Sequence, residues 1–294
     1  MDLRTALKSG IAQLRAAGVS SETLAAELLL LHATGHTRTR LYSHPEEPLG
    51  DDQAARYRAL LDRRISGEPV QHLTGKQEFW GLPFNITPDV LIPRPETEHV
   101  IEVALDRLAL RDLRAKNAQN MSGEGLRIAD VGTGSGCIAI ALAKELPAAA
   151  ITALDVSRAA LAIARQNAEQ LGFAARIAFL ESDLFAGVTG GEKFDLVVSN
   201  PPYIGHREAA TLAREVRDHE PALALYGGEE GYEFYGALIA QAADRIEHGG
   251  LLVLELGHNS LCAVRPLLES PQWSNIGTTD DLAGITRVIA AERT

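Results

Sequence analysis

Phe194-Asp195-Leu196-Val197-Val198-Ser199-Asn200-Pro201-Pro202-Tyr203 is an apolar run that stops at an amide, two prolines and an aromatic ring. The Val and Leu residues predict a strand buried on both faces. The two prolines, with fixed φ and no N–H, predict a rigid loop at its carboxyl end. In an open α/β sheet that end is where ligands bind. The Asn200 side-chain oxygen and the Pro201 carbonyl are both acceptors, and together they suit the two N–H hydrogens of an amide or amino group, with Tyr203 over its flat face. The set holds no strong base. That suits orienting a weak nitrogen nucleophile toward a strong electrophile, and suits proteolysis or phosphoryl transfer poorly.

Outward from this stretch, strands and helices alternate. A strand is expected over 126–131, and Gly132-Thr133-Gly134-Ser135-Gly136 opens a helix carrying Ile138, Ile140 and Leu142. A second strand over 150–154 ends at Asp155, with Ser157 as N-cap of the next helix, and a third over 177–180 has Asp183 just beyond it. Downstream come a helix over 232–246, a strand over 251–256, a helix around 261–268 and a last strand over 286–291. Such alternation predicts an α/β fold with a parallel sheet and helices on both faces. Asp130, Asp155, Asp183 and Asn200 all fall at or just past carboxyl ends, so one crevice can gather them. The polar stretch 206–220 and the following 221–228 read as a partly helical flap over that crevice.

Three nucleotide loops compete for the glycines. A Walker loop needs a lysine just after the glycines, where none occurs until Lys144, and a dinucleotide fingerprint wants a small third residue where Cys137 stands. Glycines at alternate positions, with Asp130 just before them, suit a cofactor bearing an ammonium and a sulfonium better than a pyrophosphate, which a carboxylate would repel. S-adenosyl-L-methionine meets that description. Asp155, 19 residues past Gly136, can accept the ribose hydroxyls, and Asp183 with Leu184 can take the adenine. Asp155 alone does not separate this cofactor from NAD; its combination with Asn200-Pro201-Pro202-Tyr203 does.

Residues 1–75 read as helices. Leu24, Leu28 and Leu31 with Ala25 and Leu29 recur at helical spacing up to Gly35, and a second helix is expected over 53–65. This segment carries nine Lys plus Arg and nine Asp plus Glu, so it offers nucleic acid no basic excess and suits protein docking. His32 and His36 lack a third ligand, and no metal is expected. Residues 77–86 mix aromatics with turn residues as in a hairpin between domains, Pro93 and Pro95 lead into a helix with acidic residues in its first turn, and 111–125 reads as a flexible polar connection. Two cysteines among 294 residues, Cys137 and Cys262, give no disulfide framework and predict a reducing, cytoplasmic setting. A net charge of −11 disfavours stable nucleic-acid binding, and no apolar run approaches the ~20 residues of a membrane span.

At these residues the chain resembles the release factor glutamine methyltransferases, the HemK/PrmC family. The likeness runs through the N-terminal helices, Gln71-His72-Leu73-Thr74-Gly75, Glu78-Phe79-Trp80, Ile92-Pro93-Arg94-Pro95-Glu96-Thr97-Glu98, the glycine loop, Asp155, Ser182-Asp183 and Asn200 to Tyr203. The resemblance implies a Rossmann-like class I S-adenosylmethionine-dependent methyltransferase sheet over 99–294, a small helical substrate-docking domain over 1–75 and a hairpin and linker over 76–98. It also implies that the methyl acceptor is the side-chain amide of the glutamine in the Gly-Gly-Gln loop of peptide chain release factors. Carried over, cofactor contacts fall at Gly132 to Gly136, Asp155, Leu184 and Asn200, and substrate contacts at Asn200, Pro201, Pro202 and Tyr203. Leu184 departs from the aromatic residue frequent there, and the connection over 111–125 is long for the family. An adenine or guanine amino methyltransferase shares the Asn-Pro-Pro-Tyr motif and is the main rival. A non-catalytic binding module and an NAD dehydrogenase are weaker ones.

Overall fold

In the computed structural model, which describes residues 1–114 and 122–294, the chain forms two compact units. One comprises Met1–Lys76 with Ala213–His219, the other Gln77–Leu212 with Glu220–Thr294.

The first unit is helical, with helices at Leu3–Ala16, Glu22–Thr34, Arg38–Ser43, Asp51–Ile65 and Val70–Thr74. Asp2 caps the first by accepting from the Thr5 N–H at 2.7 Å, and that helix buries Leu3, Ala6, Gly10 and Leu14 at spacings of three and four. Gly10 lets Tyr57 pack against it, since a Cβ there would lie 2.0 Å from the Tyr57 Oη, which donates to the Ala26 carbonyl at 3.1 Å. The second helix ends at Gly35 in a left-handed conformation, as the sequence predicts, and only some of the residues that recur at helical spacing go inside. Ala25, Ala26, Leu29, Leu30 and Ala33 are inside, while Leu24 and Leu28 are exposed. The short helix Arg214–His219 also lies in this unit, where its Glu215 pairs with the buried Arg64. The stretch read as one flap is therefore divided between the units.

The second unit opens on the expected hairpin of β1 Lys76–Phe79, whose first residue still belongs to the first unit, and β2 Leu82–Asn85. Asn167 stitches it down: its Oδ1 accepts from the Asn85 N–H at 2.8 Å and its Nδ2 donates to the Asn85 carbonyl at 3.1 Å. A 3-10 turn at Pro95–Thr97 runs into the helix Glu98–Arg114, so 111–114 is helical rather than part of a connection, while 115–121 lies outside the described residues.

The main strands are β3 Arg127–Val131, β4 Ala150–Asp155, β5 Ile177–Glu181 and β6 Phe194–Ser199. A minor parallel pair follows, β7 Ile204–Gly205 with β8 Tyr226–Gly228, and then β9 Ile246–Glu255, β10 Trp273–Asp280 and β11 Thr286–Arg293. Among the described residues they form a seven-stranded sheet in the order β10-β11-β9-β6-β3-β4-β5. Five strands are parallel, as expected, but β11 runs antiparallel to both β9 and β10, so the sheet is mixed. β10 is an edge strand rich in polar residues that leaves no apolar run for the sequence to announce. Ile128 and Val198 enter one apolar core and Ala129, Val131 and Val197 the other, so helices cover both faces. The chain proceeds outward from β3 to β5, then returns to place β6 on the other side of β3. The reversal opens a crevice at the carboxyl ends of β3 and β6.

Candidate active site

The loop after β3 is shaped by its glycines. Gly132, Gly134 and Gly136 have φ of +73°, +55° and +82°, in the left-handed region that disfavours a side chain. Gly136 also sits where a Cβ would press on Ala164, the close helix approach that admits only glycine. Gly132 and Gly134 line a cavity at the crevice, and a Cβ added at either meets nothing within 4 Å among the described residues, so both leave open space there. Thr133 and Ser135 alternate with them and are buried. The Asn167 Nδ2 donates to the Ser135 carbonyl at 2.9 Å and fixes the loop from below.

Asp155, Asp183, Leu184 and Asn200 line this cavity, as the strand-end reading anticipates; Asp130 does not. Asp130 is fully buried beneath the loop, where its Oδ2 accepts from the Thr133 Oγ1 at 2.6 Å and the Ala139 N–H at 3.1 Å. Burial, only partly offset by those two bonds, pushes its carboxyl up to about 7. It holds the loop in shape. The Asp155 carboxylate accepts from the Gly134 N–H and the Ser157 N–H, both at 2.9 Å, leaving its other lone pairs to the cavity. Burial raises its pKa, and those backbone bonds oppose the rise. Asp183 and Leu184 follow β5 in a turn tied by Ser182, whose hydroxyl donates to the Leu184 carbonyl at 2.7 Å. Leu184 itself has φ of +50°, a conformation costly for a leucine. Val156, Pro202, Leu223 and Phe234 supply apolar walls.

The amide of Asn200 is held from one side. Its Nδ2 donates to the Thr97 Oγ1 at 3.0 Å, while its buried Oδ1 has no hydrogen-bond partner among the described residues. A buried acceptor without a donor costs about 1–3 kcal/mol, and a ligand N–H removes that cost. Pro202 reaches the cavity, whereas Pro201 and Tyr203 are not among its lining residues. The Tyr203 hydroxyl instead points to the Glu255 Oε1 at 3.5 Å, and burial raises the phenol well above its ordinary value.

Sequence reasoning missed Thr97, Glu220 and Glu255. Thr97 and Glu96 lie in a stretch read as a helix lead-in and as part of the family likeness but given no place in the site, and Glu255 is the acidic end of the apolar strand β9, the same strand-end signal that singled out Asp155. Glu220 anchors the wall before Pro221: its carboxylate accepts from Arg94 at 2.5 Å and from the Ile92 N–H at 3.1 Å. Among the described residues no group of three or more His, Cys, Asp or Glu could hold a metal ion, and no helix is long and apolar enough to cross a membrane.

A glycine cradle open to the cavity, a carboxylate poised for a diol on the next strand and an amide acceptor two strands away fit a nucleoside carrying a positive charge. Together with the sheet order they put the chain among the Rossmann-like class I S-adenosylmethionine-dependent methyltransferases. The profile of the PrmC N-terminal domain matches residues 5–75, and that of the methyltransferase small domain matches 113–228. The release factor glutamine methyltransferase of Koribacter versatilis is 42% identical over 100% of this chain and 99% of its own length. That of Moorella thermoacetica is 43% identical over the same shares. A crystal structure of a methyltransferase from Pyrococcus furiosus shares the fold, with a TM-score of 0.52 and 19% identity over 79% of this chain and 96% of that one. The chain belongs to the release factor glutamine methyltransferase family.

Proposed function

We propose that this enzyme methylates the side-chain amide nitrogen, N5, of the glutamine in the Gly-Gly-Gln loop of bacterial peptide chain release factors. Family membership supports the reading, and the observation that carries it is the Asn200 amide: Nδ2 is tied to Thr97 while Oδ1 is buried without a partner. When bound, S-adenosyl-L-methionine supplies an electrophilic methyl group. Gly132, Gly134 and Asp155 hold its ribose and methionine portions, Asp183 and Leu184 its adenine, and Asp130, Thr133, Ser135 and Gly136 keep the loop in shape. An amide nitrogen is a poor nucleophile because its lone pair is delocalised, so the protein must aim it. Asn200 Oδ1 and the Pro201 carbonyl accept its two hydrogens, fix its direction and stabilise the positive charge that grows on nitrogen. Pro202 and Tyr203 shape the loop around it, and the wall at Pro221 and Leu223 excludes water and strengthens both bonds.

Residues 1–75 are the docking module for the protein substrate in this reading, 76–98 the linker and 99–294 the catalytic domain. The acidic balance of the chain, −11 overall, favours a protein partner over stable nucleic-acid binding in the cytoplasm. The test is mass spectrometry of a release factor after incubation with enzyme and cofactor, with one added methyl expected on that glutamine. A methyl on adenine or guanine of added nucleic acid, with none on the glutamine, would falsify the proposal.

A further inference from the structure

Just past β5, residues 182–187 fold into a tight turn at the edge of the cavity, and Ser182 closes it. Its N–H donates to the Asp155 carbonyl at 2.9 Å, which joins the turn to the neighbouring strand end. Its hydroxyl donates to the Leu184 carbonyl at 2.7 Å and accepts from the Gly187 N–H at 2.8 Å. Ser182 is 6% exposed, so that hydroxyl has left water to serve two backbone groups. Gly187 makes the closure possible, since a Cβ there would lie 2.7 Å from the Glu181 carbonyl oxygen. The Asp183 carbonyl accepts from the Ala186 N–H at 3.0 Å and tightens the same turn.

Two residues that line the cavity are carried by this turn, Asp183 and Leu184. Leu184 is held at φ +50°, a conformation a leucine does not take by itself, and it packs into the apolar core that also holds Val131 and Val197. Asp183 is exposed, and its carboxylate makes no hydrogen bond among the described residues, so only the backbone of the turn fixes its place. That place matters to a purine. A carboxylate held opposite the adenine amino group accepts from it, and in a 6-oxopurine the same carboxylate faces an oxygen that it repels. A carboxylate free to swing reaches the adjacent N1–H of the 6-oxopurine instead, and the two bases become alike to it. We infer that Ser182 is a positioning residue that sets the base specificity of the cofactor site, its hydroxyl locking the turn that holds Asp183 opposite the adenine amino group. The inference rests on the adenine placement proposed above.

Calorimetry on the full-length enzyme tests it, with S-adenosyl-L-homocysteine and its 6-oxo counterpart S-inosyl-L-homocysteine as the two probes. Ser182→Ala should weaken the adenosyl ligand by roughly 10-fold and leave the inosyl ligand little changed, so that the preference falls by the same factor. In turnover on a release factor, the cofactor KM should rise without a matching loss of kcat. Asp183→Asn, whose amide serves an amino or an oxo group equally, should abolish most of the preference, and adding Ser182→Ala to it should change the preference no further. An undiminished preference in Ser182→Ala, equal weakening of both ligands, or losses that multiply in the double variant overturns the inference. Should Ser182→Ala fail to fold, Ser182→Cys, which offers only a weak donor, carries the test, and an undiminished preference there overturns it equally. Asp183→Asn separates the two levels. A preference that survives it defeats the adenine placement itself, whereas a preference lost in Asp183→Asn but kept in Ser182→Ala defeats only the role of Ser182.

Discussion

Asn200 and Asp155 sit at the ends of different strands and make different contacts, so their roles should separate. Asn200→Ala is expected to lower turnover by on the order of 10², the loss of one transition-state hydrogen-bond partner, with little change in cofactor affinity by calorimetry. Asp155→Ala should do the reverse, because it removes the proposed diol acceptor and frees the Gly134 and Ser157 N–H groups it now holds. Asp130 carries a pH signature. Its folded value of about 7 lies above the ordinary 3.8, so between the two the folded chain keeps a proton that the unfolded chain releases. The stability it contributes is full below about pH 4 and is lost as pH rises toward 7. Asp130→Asn, which cannot ionise, should flatten that fall in thermal midpoints measured from pH 5 to 8. Glu255, raised in the same sense, keeps it from vanishing. At this scale the sequence announces polar residues at strand ends but not their burial, which is why Asp130 reads as facing the crevice and lies beneath it instead.

Among elements, those with strong periodicity were legible: the strands and helices from β3 to β6, the capped helix after Ser157 and the hairpin β1–β2 all stand where the sequence puts them. Legibility failed where both faces of a pattern are apolar or where neither is. The helix Glu22–Thr34 carries leucine and alanine on all sides, so composition cannot choose which stripe goes inward, and tertiary packing chose the stripe with Ala25 and Leu29. β10, with Asn275 at φ +51° and register shifts against β11, has too little apolar alternation to be seen. The helix Leu3–Ala16 offers a prediction. Glycine to alanine inside a helix gains up to about 1 kcal/mol in propensity. At Gly10 the new methyl would strike the Tyr57 ring and break its bond to Ala26, and overpacking of that kind costs roughly 1–3 kcal/mol in addition to the unpaired carbonyl. Gly10→Ala should therefore destabilise the N-terminal unit, read as a lower midpoint in chemical denaturation.

At the scale of the molecule, the division into units cuts across the order of the chain. Ala213–His219 belong with the N-terminal helices although more than a hundred residues of the catalytic sheet precede them. Nothing in a charged stretch such as Arg214-Glu215-Val216-Arg217-Asp218 tells a reader of the sequence which unit it will join; a buried Arg64 waiting for Glu215 decides it. Hydrogen exchange should reveal this membership. Amides of 213–219 should exchange in step with those of the N-terminal helices, and Gly10→Ala should accelerate both while leaving β3, β4 and β6 protected. Exchange of 213–219 in step with the sheet would sink the assignment.

The excursion has a thermodynamic corollary. His219 is followed at once by Glu220, whose carboxylate is clamped by Arg94 and the Ile92 N–H, and then by Pro221, which lines the cavity at the crevice. One short piece of backbone is thus ordered at its near end by the helical unit and at its far end by the site. Ordering either end lowers the entropy left for the other to remove, so the two events are linked through the backbone they share, and linkage works equally in both directions. Cofactor saturation should therefore slow exchange in 213–219, and two glycines inserted after His219 should abolish that slowing while leaving each end folded.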